Sequence, residues 1–229
     1  EPVTTKRLLL LEGNIYHVFT RSIAGFEIFR SNHDYERMRA LLKYYQIVNP
    51  ALRFSVFVEL KNKEKLYQND NIAKENLVGV IAYCCMPTHV HLILKQIKKG
   101  GISIFMSNVL NSYTRYFNIK MNRRGPLWES RFKSVMVTTD EQLLHLTRYI
   151  HLNPTTANLV NEPHDWVFSS YREFLEEIQD EEKVCNYSKS LNIDTEEYKE
   201  FVSSRIGIQQ ELARIKEICL DLPSYTYGL

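Results

Sequence analysis

Two histidines on alternate positions of a short apolar run are the first candidates for chemistry in this sequence. His89 and His91 belong to the run MPTHVHLIL, residues 86–94. Because alternate side chains of a β-strand point to the same face, the two imidazoles are expected to project together. Neutral imidazoles at this spacing can bind one divalent metal ion, which then needs a third ligand from elsewhere. A single strand histidine is more often structural, so the pair alone predicts only half of a metal site.

A second segment carries a hydroxyl and an amide one helical turn apart. His145, Tyr149 and Asn153 are spaced i, i+4, i+8, so on a helix they share one face. Tyr149 is a candidate nucleophile, and Asn153 is a candidate third ligand for a metal held by the histidine pair. Taken alone, a polar stripe of this kind is better explained as a solvent-exposed helix face. The combination with the histidine pair is what indicates a site.

Length and composition restrict the class of protein. The 229 residues predict one large domain, or one domain with an appendage. No apolar run approaches the roughly 20 residues that span a bilayer, and the first residues lack the layout of a signal peptide. The four cysteines include no CxxC pair, which argues against a cysteine zinc site and favours reduced thiols. We therefore expect a cytoplasmic protein with no membrane partner.

Charge is distributed unevenly along the chain. Residues 1–172 hold 23 Lys and Arg against 14 Asp and Glu, a net charge of +9, whereas residues 173–229 hold 6 against 13, a net charge of −7. A basic body with an acidic C-terminal part is typical of a protein that binds a polyanion. Basic and aromatic residues also alternate between residues 115 and 133, as in tracks for single-stranded nucleic acid.

The candidate DNA-binding residues are basic side chains in or near these segments. They are Arg21, Arg115, Arg123, Arg124, Arg131, Lys133 and Arg148. A competing interpretation assigns the aromatic residues to the core and the charges to solvent, and we expect Phe117 and Trp128 to be packed. His17 and His151 are expected to be structural.

Hydrophobic periodicity predicts the elements that position these residues. Strands are predicted at 15–21, 53–60, 77–85, 89–95 and 132–137, and helices at 32–48, 102–119, 141–153, 168–178 and 195–220. Pro154 is expected to end the helix that carries Tyr149. The polar residues 61–75 are predicted to form an inserted loop. Strands and helices mix without strict alternation, which favours an α+β, ferredoxin-like antiparallel sheet with helices on one side.

Three segments together resemble a known family. The chain resembles the HUH single-strand DNA transposases (IS200-like), and most of all the REP-associated tyrosine transposases. The segments that carry the resemblance are, in order, MPTHVHLIL, GPLWESRFKS and RYIHLNPTTANLV. The resemblance implies an HUH catalytic domain at residues 13–172 and an acidic helical extension at residues 173–229. It also implies that His89 and His91 bind the metal, that Asn153 completes the metal site, and that Tyr149 is the nucleophile. Thr88 departs from the asparagine that is usual in the family.

The resemblance further implies an activity. Family members cleave and rejoin single-stranded DNA near hairpins, use Mg²⁺ or Mn²⁺, and pass through a 5′-phosphotyrosine intermediate. The expected partner is single-stranded or hairpin DNA at the nucleoid. An HUH replication initiator or relaxase-type nickase, and a catalytically silent DNA-binding regulator, are the alternatives. A monomer with its site in cis and a homodimer with the tyrosine helix donated in trans are both compatible with the sequence.

Overall fold

The protein is built on a four-stranded antiparallel sheet. The computed structural model describes residues 9–50, 52–59, 75–188 and 190–208. Its strands are β1 (Ile15–Arg21), β2 (Val78–Met86), β3 (His89–Gln96) and β4 (Lys133–Val137), in the spatial order β2-β3-β1-β4. Its helices are α1 (Asn32–Tyr44), α2 (Phe54–Glu59), α3 (Gly101–Lys120), α4 (Asp140–Thr156), α5 (Tyr171–Phe174) and α6 (Thr195–Ser203). The succession of β1, α1, β2, β3, α3 and β4 confirms the predicted ferredoxin-like α+β fold.

Alternation along the two central strands separates an apolar face from a face that carries histidines. On one face, Val18 of β1 and Leu92 of β3 are buried. Their neighbours in the sequence point the other way, and the β1–β3 register places Phe19 opposite His91. This second face, at the start of β3 and the end of β1, is called the histidine face below.

Helices cover both faces of the sheet, which corrects the prediction that they lie on one side. Helices α1 and α3 pack in the core that contains Val18 and Leu92. Helices α4, α5 and α6 contribute to a second core that contains Cys84 of β2 and Ile93 of β3. The reason is that β2 and β3 bear apolar side chains on both faces, so each face must be shielded from water. Phe174, Leu191 and Tyr198 therefore share a core with the sheet, while a functional boundary at residue 172 stays a prediction.

Helix α4 extends through its proline. The Thr139 side chain accepts a hydrogen bond from the Gln142 amide at 3.0 Å and caps the N-terminus of the helix. The helix continues to Thr156, three residues beyond the predicted end. Pro154 cannot donate to the carbonyl of Ile150, but near the last turn this loss affects one hydrogen bond and does not end the helix. Asn153 therefore lies inside the helix.

The predicted strand at 53–60 is wrong, because residues 54–59 form α2. Phe54 and Phe57 are three residues apart and both pack on Tyr44, with ring centroids 5.2 and 4.6 Å away. The apolar residues of this segment fit a helical stripe as well as an alternating strand, and contact with α1 selects the helix.

The remaining predictions differ from the structure mainly in length. Helix α1 ends at Tyr44, before the predicted residue 48. The helix predicted over 168–178 is limited to α5, and Glu176 adopts a left-handed φ of 56° shortly after it. The C-terminal helix begins at Thr195 as predicted, and α6 ends at Ser203. The predicted loop at 61–75 falls almost wholly outside the described residues, as does the region beyond residue 208. Among the helices that are described, none is long and apolar enough to cross a membrane.

Candidate active site

The two predicted metal ligands lie side by side at the start of β3. The His89 and His91 rings have centroids 5.0 Å apart and are nearly perpendicular. Thr88 Oγ1 lies 2.9 Å from His89 Nδ1, within hydrogen-bond distance. Phe19 of β1 stacks on His91 at a centroid distance of 5.9 Å. The alternation of β3 therefore places both imidazoles on one face, as the sequence predicted.

Helix α4 brings Tyr149 to this face within the same chain. The Tyr149 ring meets the His91 ring edge-on, with centroids 6.0 Å apart, and it meets the His17 ring at 6.4 Å. Tyr149 is 42% exposed, so part of the residue is open to solvent. Burial of the remainder raises the pKa of Tyr149, so the hydroxyl is protonated at neutral pH. The candidate nucleophile and the candidate metal ligands thus form one cluster.

The histidines of the cluster are neutral at physiological pH. Burial lowers the pKa of His89 to about 4, with a smaller contribution from the positive charge of Arg21. Burial, followed by the neighbouring His89, His17 and Arg21, lowers the pKa of His91 to about 3. A neutral imidazole keeps the nitrogen lone pair that a metal ion requires.

Asn153 has the properties expected of a further ligand. It lies one turn beyond Tyr149 on α4, and its buried Nδ2 has no hydrogen-bond partner among the described residues. An unpaired buried amide is costly, and amide nitrogen and oxygen positions are assigned from their partners. Within the described ranges, no three His, Cys, Asp or Glu side chains are grouped to hold a metal. The histidine pair therefore fits a metal only with a ligand of another type, such as an amide oxygen or a phosphate oxygen.

Comparison with known proteins decides the family. The sequence profile of the family described as "Transposase IS200 like" matches residues 39–153, which is half of the chain. The chain belongs to the IS200-like transposase family. The matched segment contains His89, His91, Tyr149 and Asn153.

Individual relatives of this IS200-like transposase carry related names. A Haemophilus influenzae protein assigned to the REP-associated tyrosine transposases is 26% identical over 101 residues. That alignment covers 40% of this chain and 57% of the relative, so the chain matches little more than half of the relative's length. A solved structure described as a REP-associated tyrosine transposase bound to a REP hairpin superposes with a TM-score of 0.49 at 14% identity. The superposition covers 84% of this chain and 99% of the chain in the solved structure.

The predicted DNA-binding residues fall into two groups. Five are exposed, namely Arg21, Arg115, Arg124, Arg131 and Lys133. Two of these flank the histidine face. Arg21 lies opposite His89 in the β1–β3 register and 3.9 Å from the Glu129 carboxylate, and Lys133 lies opposite Phe19 in the β1–β4 register.

The other two arginines are held by contacts within the chain. Arg123 donates to Asn118 Oδ1 at 2.8 Å and to the Pro126 carbonyl at 3.0 Å. The Arg148 guanidinium stacks 3.9 Å above the ring of Phe201. Phe117 is buried and Trp128 is partly buried, in line with their expected packing roles.

His17 lies against the candidate site although the sequence did not name it among the site residues. It was expected to be structural, yet its Nε2 lies 3.0 Å from His91 Nδ1. Alternation in β1 predicts that His17 and Phe19 share a face, but the sequence does not say which strand pairs with β1. The prediction for His151 is confirmed: it is fully buried between the Tyr198 hydroxyl at 2.7 Å and Ser170 Oγ at 2.8 Å.

Proposed function

We propose that this IS200-like transposase is a metal-dependent single-stranded DNA endonuclease and strand transferase, with Tyr149 as its nucleophile. The observation that carries the proposal is the approach of the half-exposed Tyr149 ring to within 6.0 Å of His91 on its own sheet. A hydroxyl beside two neutral imidazoles suits transesterification of a phosphodiester.

His89, His91 and Asn153 are the residues that would hold the divalent ion. Mg²⁺ or Mn²⁺, when bound, supplies positive charge that offsets the negative charge of the scissile phosphate. This neutralisation matters because the phosphodiester is a poor electrophile and the protonated phenol of Tyr149 is a weak nucleophile. Neutral imidazoles suit the role, since no proton has to leave them before they bind a metal.

Tyr149 performs the covalent step. Its Oη bonds to phosphorus and gives up its proton to water on the exposed side of the ring. The bond from phosphorus to the 3′-oxygen breaks, and that oxygen leaves as a 3′-hydroxyl after taking a proton. The 5′-phosphotyrosine keeps the phosphodiester bond energy, so a second 3′-hydroxyl can attack phosphorus, rejoin the strand and restore Tyr149.

The partner is single-stranded or hairpin DNA. Arg21 and Lys133 flank the histidine face with exposed basic side chains, which can bind phosphates on either side of the cleaved bond. The name of the Haemophilus influenzae relative refers to REP elements and supports such repeats as the target, and a protein that acts on them would work at the nucleoid. Since α4 packs on its own sheet, one protomer contains all the proposed catalytic groups, as in a monomer with its site in cis.

The test is the formation of a covalent adduct. Labelled single strands that contain a hairpin are incubated with the protein and Mn²⁺, and the products are separated on denaturing gels. Wild type and Tyr45→Phe, a matched control outside the site, should form the adduct. Tyr149→Phe should form none while still binding DNA, and His89→Ala should lose the adduct. An adduct that persists in Tyr149→Phe would refute the proposed nucleophile.

The same reactions separate the alternatives. A transposase should rejoin the cleaved strand to a second strand that carries a 3′-hydroxyl, which lengthens the labelled product. Nicking without transfer would contradict strand transfer and favour an initiator or relaxase. Saturable DNA binding without any adduct in Mn²⁺ would contradict the enzyme as a whole and favour a regulator.

A further inference from the structure

The two candidate metal ligands are each hydrogen-bonded through the same ring nitrogen. His91 Nδ1 lies 3.0 Å from His17 Nε2, and His89 Nδ1 lies 2.9 Å from Thr88 Oγ1. Within the described part of the chain, the Nε2 atom of neither ligand has a protein hydrogen bond. Both rings therefore keep Nε2 available for a metal.

The proton positions follow from this arrangement. A metal-binding imidazole keeps its lone pair on the ligating nitrogen and its proton on the other nitrogen, which donates to an outer group. His91 Nδ1–H then donates to His17 Nε2, and His89 Nδ1–H donates to Thr88 Oγ1. The contact requires His17 to carry its own proton on Nδ1 and to act as an acceptor.

The sheet register explains why His17 can reach His91. His17 lies directly opposite Ile93, and His91 lies opposite Phe19, so the two histidines are diagonal neighbours on adjacent strands. Diagonal neighbours are about 7–8 Å apart at the backbone, which aromatic rings can bridge. The His17 and His91 rings are nearly parallel, at 18°, with centroids 5.3 Å apart, so the two facing nitrogens meet edge to edge. Together with the Phe19 ring, this contact fixes the plane of the His91 ring.

We propose that His17 is a positioning residue that sets the tautomer and ring orientation of His91 and supports Tyr149. The inference rests on the proposed function and adds a residue to its site. His17 touches both halves of the cluster, since its ring also meets the Tyr149 ring edge-on at 6.4 Å. A role as a third metal ligand is disfavoured, because His17 Nε2 faces His91 Nδ1 at 3.0 Å and is occupied by that contact.

The test measures metal affinity in the full-length protein without DNA. Mn²⁺ is titrated into the protein, and free Mn²⁺ is followed by electron paramagnetic resonance. His17→Phe keeps an aromatic ring but removes the acceptor, and it should weaken Mn²⁺ binding by about 10–100-fold. His17→Gln offers an amide oxygen as acceptor and should recover part of that loss. His33→Phe, at an exposed histidine of α1, is the matched control and should bind as wild type does.

Each outcome decides the inference. If His17→Phe binds Mn²⁺ as tightly as wild type while His89→Ala loses Mn²⁺ affinity, the role of His17 is overturned and the proposed function stays intact. A loss in His17→Gln as large as that in His17→Phe would also overturn it, because a hydrogen-bond acceptor at this position would then have no effect on Mn²⁺ binding. Unchanged affinity in His89→Ala would remove the metal site itself, and with it both proposals. Urea midpoints of all variants identify any loss caused by unfolding.

Discussion

Replacing Tyr198 with Phe is expected to destabilise the fold by about 1–3 kcal/mol, the usual cost of leaving a buried polar group unpaired. The Tyr198 hydroxyl lies 2.7 Å from His151 Nδ1, and both residues are fully buried. His151 uses its other ring nitrogen on Ser170 Oγ, at 2.8 Å, so it cannot turn to find a new partner without breaking that contact. The substitution removes a single oxygen and leaves the packing of the ring in place.

The assay is urea unfolding followed by circular dichroism. With a slope of about 2 kcal/mol per molar urea, the expected loss lowers the midpoint by roughly 0.5–1.5 M. Tyr187→Phe is the matched control, because its hydroxyl donates to the Glu173 carbonyl at 3.2 Å from a partly exposed side chain, where water can replace the bond. A Tyr198→Phe midpoint no lower than that of Tyr187→Phe would refute the reasoning.

The loss of the Tyr198–His151 contact should also affect the candidate active site, because His151 is two residues from Tyr149 on α4. Arg148 on the same helix also stacks on Phe201 of α6, so α6 contacts α4 through two independent side chains. We expect adduct formation by Tyr198→Phe to fall off at a lower temperature than that of wild type. Equal temperature profiles would show that α4 holds its position without this contact.

Three further predictions concern packing, pH and DNA binding. Gly101→Ala should lower the melting temperature or prevent folding, because the Cβ of the alanine would clash with the Leu77 carbonyl oxygen. An unchanged melting curve would contradict that close approach. Burial opposes ionisation of Asp34, but hydrogen bonds from neighbouring lysine, tyrosine and serine side chains outweigh it and hold the pKa below its usual value. The carboxylate therefore stabilises the fold above about pH 4, and the difference in unfolding free energy between wild type and Asp34→Asn should shrink as the pH falls below that value. Arg131→Ala should reduce the slope of log binding constant against log salt concentration by about 0.7 for single-stranded DNA. Arg148→Ala should leave that slope unchanged and lower the stability of the fold. Equal slopes for wild type and Arg131→Ala would show that Arg131 does not contact DNA phosphates.

Local periodicity was sufficient for much of the fold and for the core of the candidate site. The alternation of β3 placed His89 and His91 on one face, and the four-residue spacing placed Tyr149 and Asn153 on one helix face. Both inferences depend only on neighbours within the same element, so a single sequence contains the information. The ends of β1 and the start of α6 were predicted for the same reason.

Long-range packing settled the rest. The segment at 54–59 became a helix because its aromatic residues meet α1, and α4 joined the histidine face because the second face of β2 and β3 needed an apolar cover. The contact between His17 and His91 arises from the pairing of β1 with β3, two strands separated by about 70 residues of sequence. Strand register and the choice of sheet face depend on which distant segments meet, and no local pattern in β1 specifies its partner.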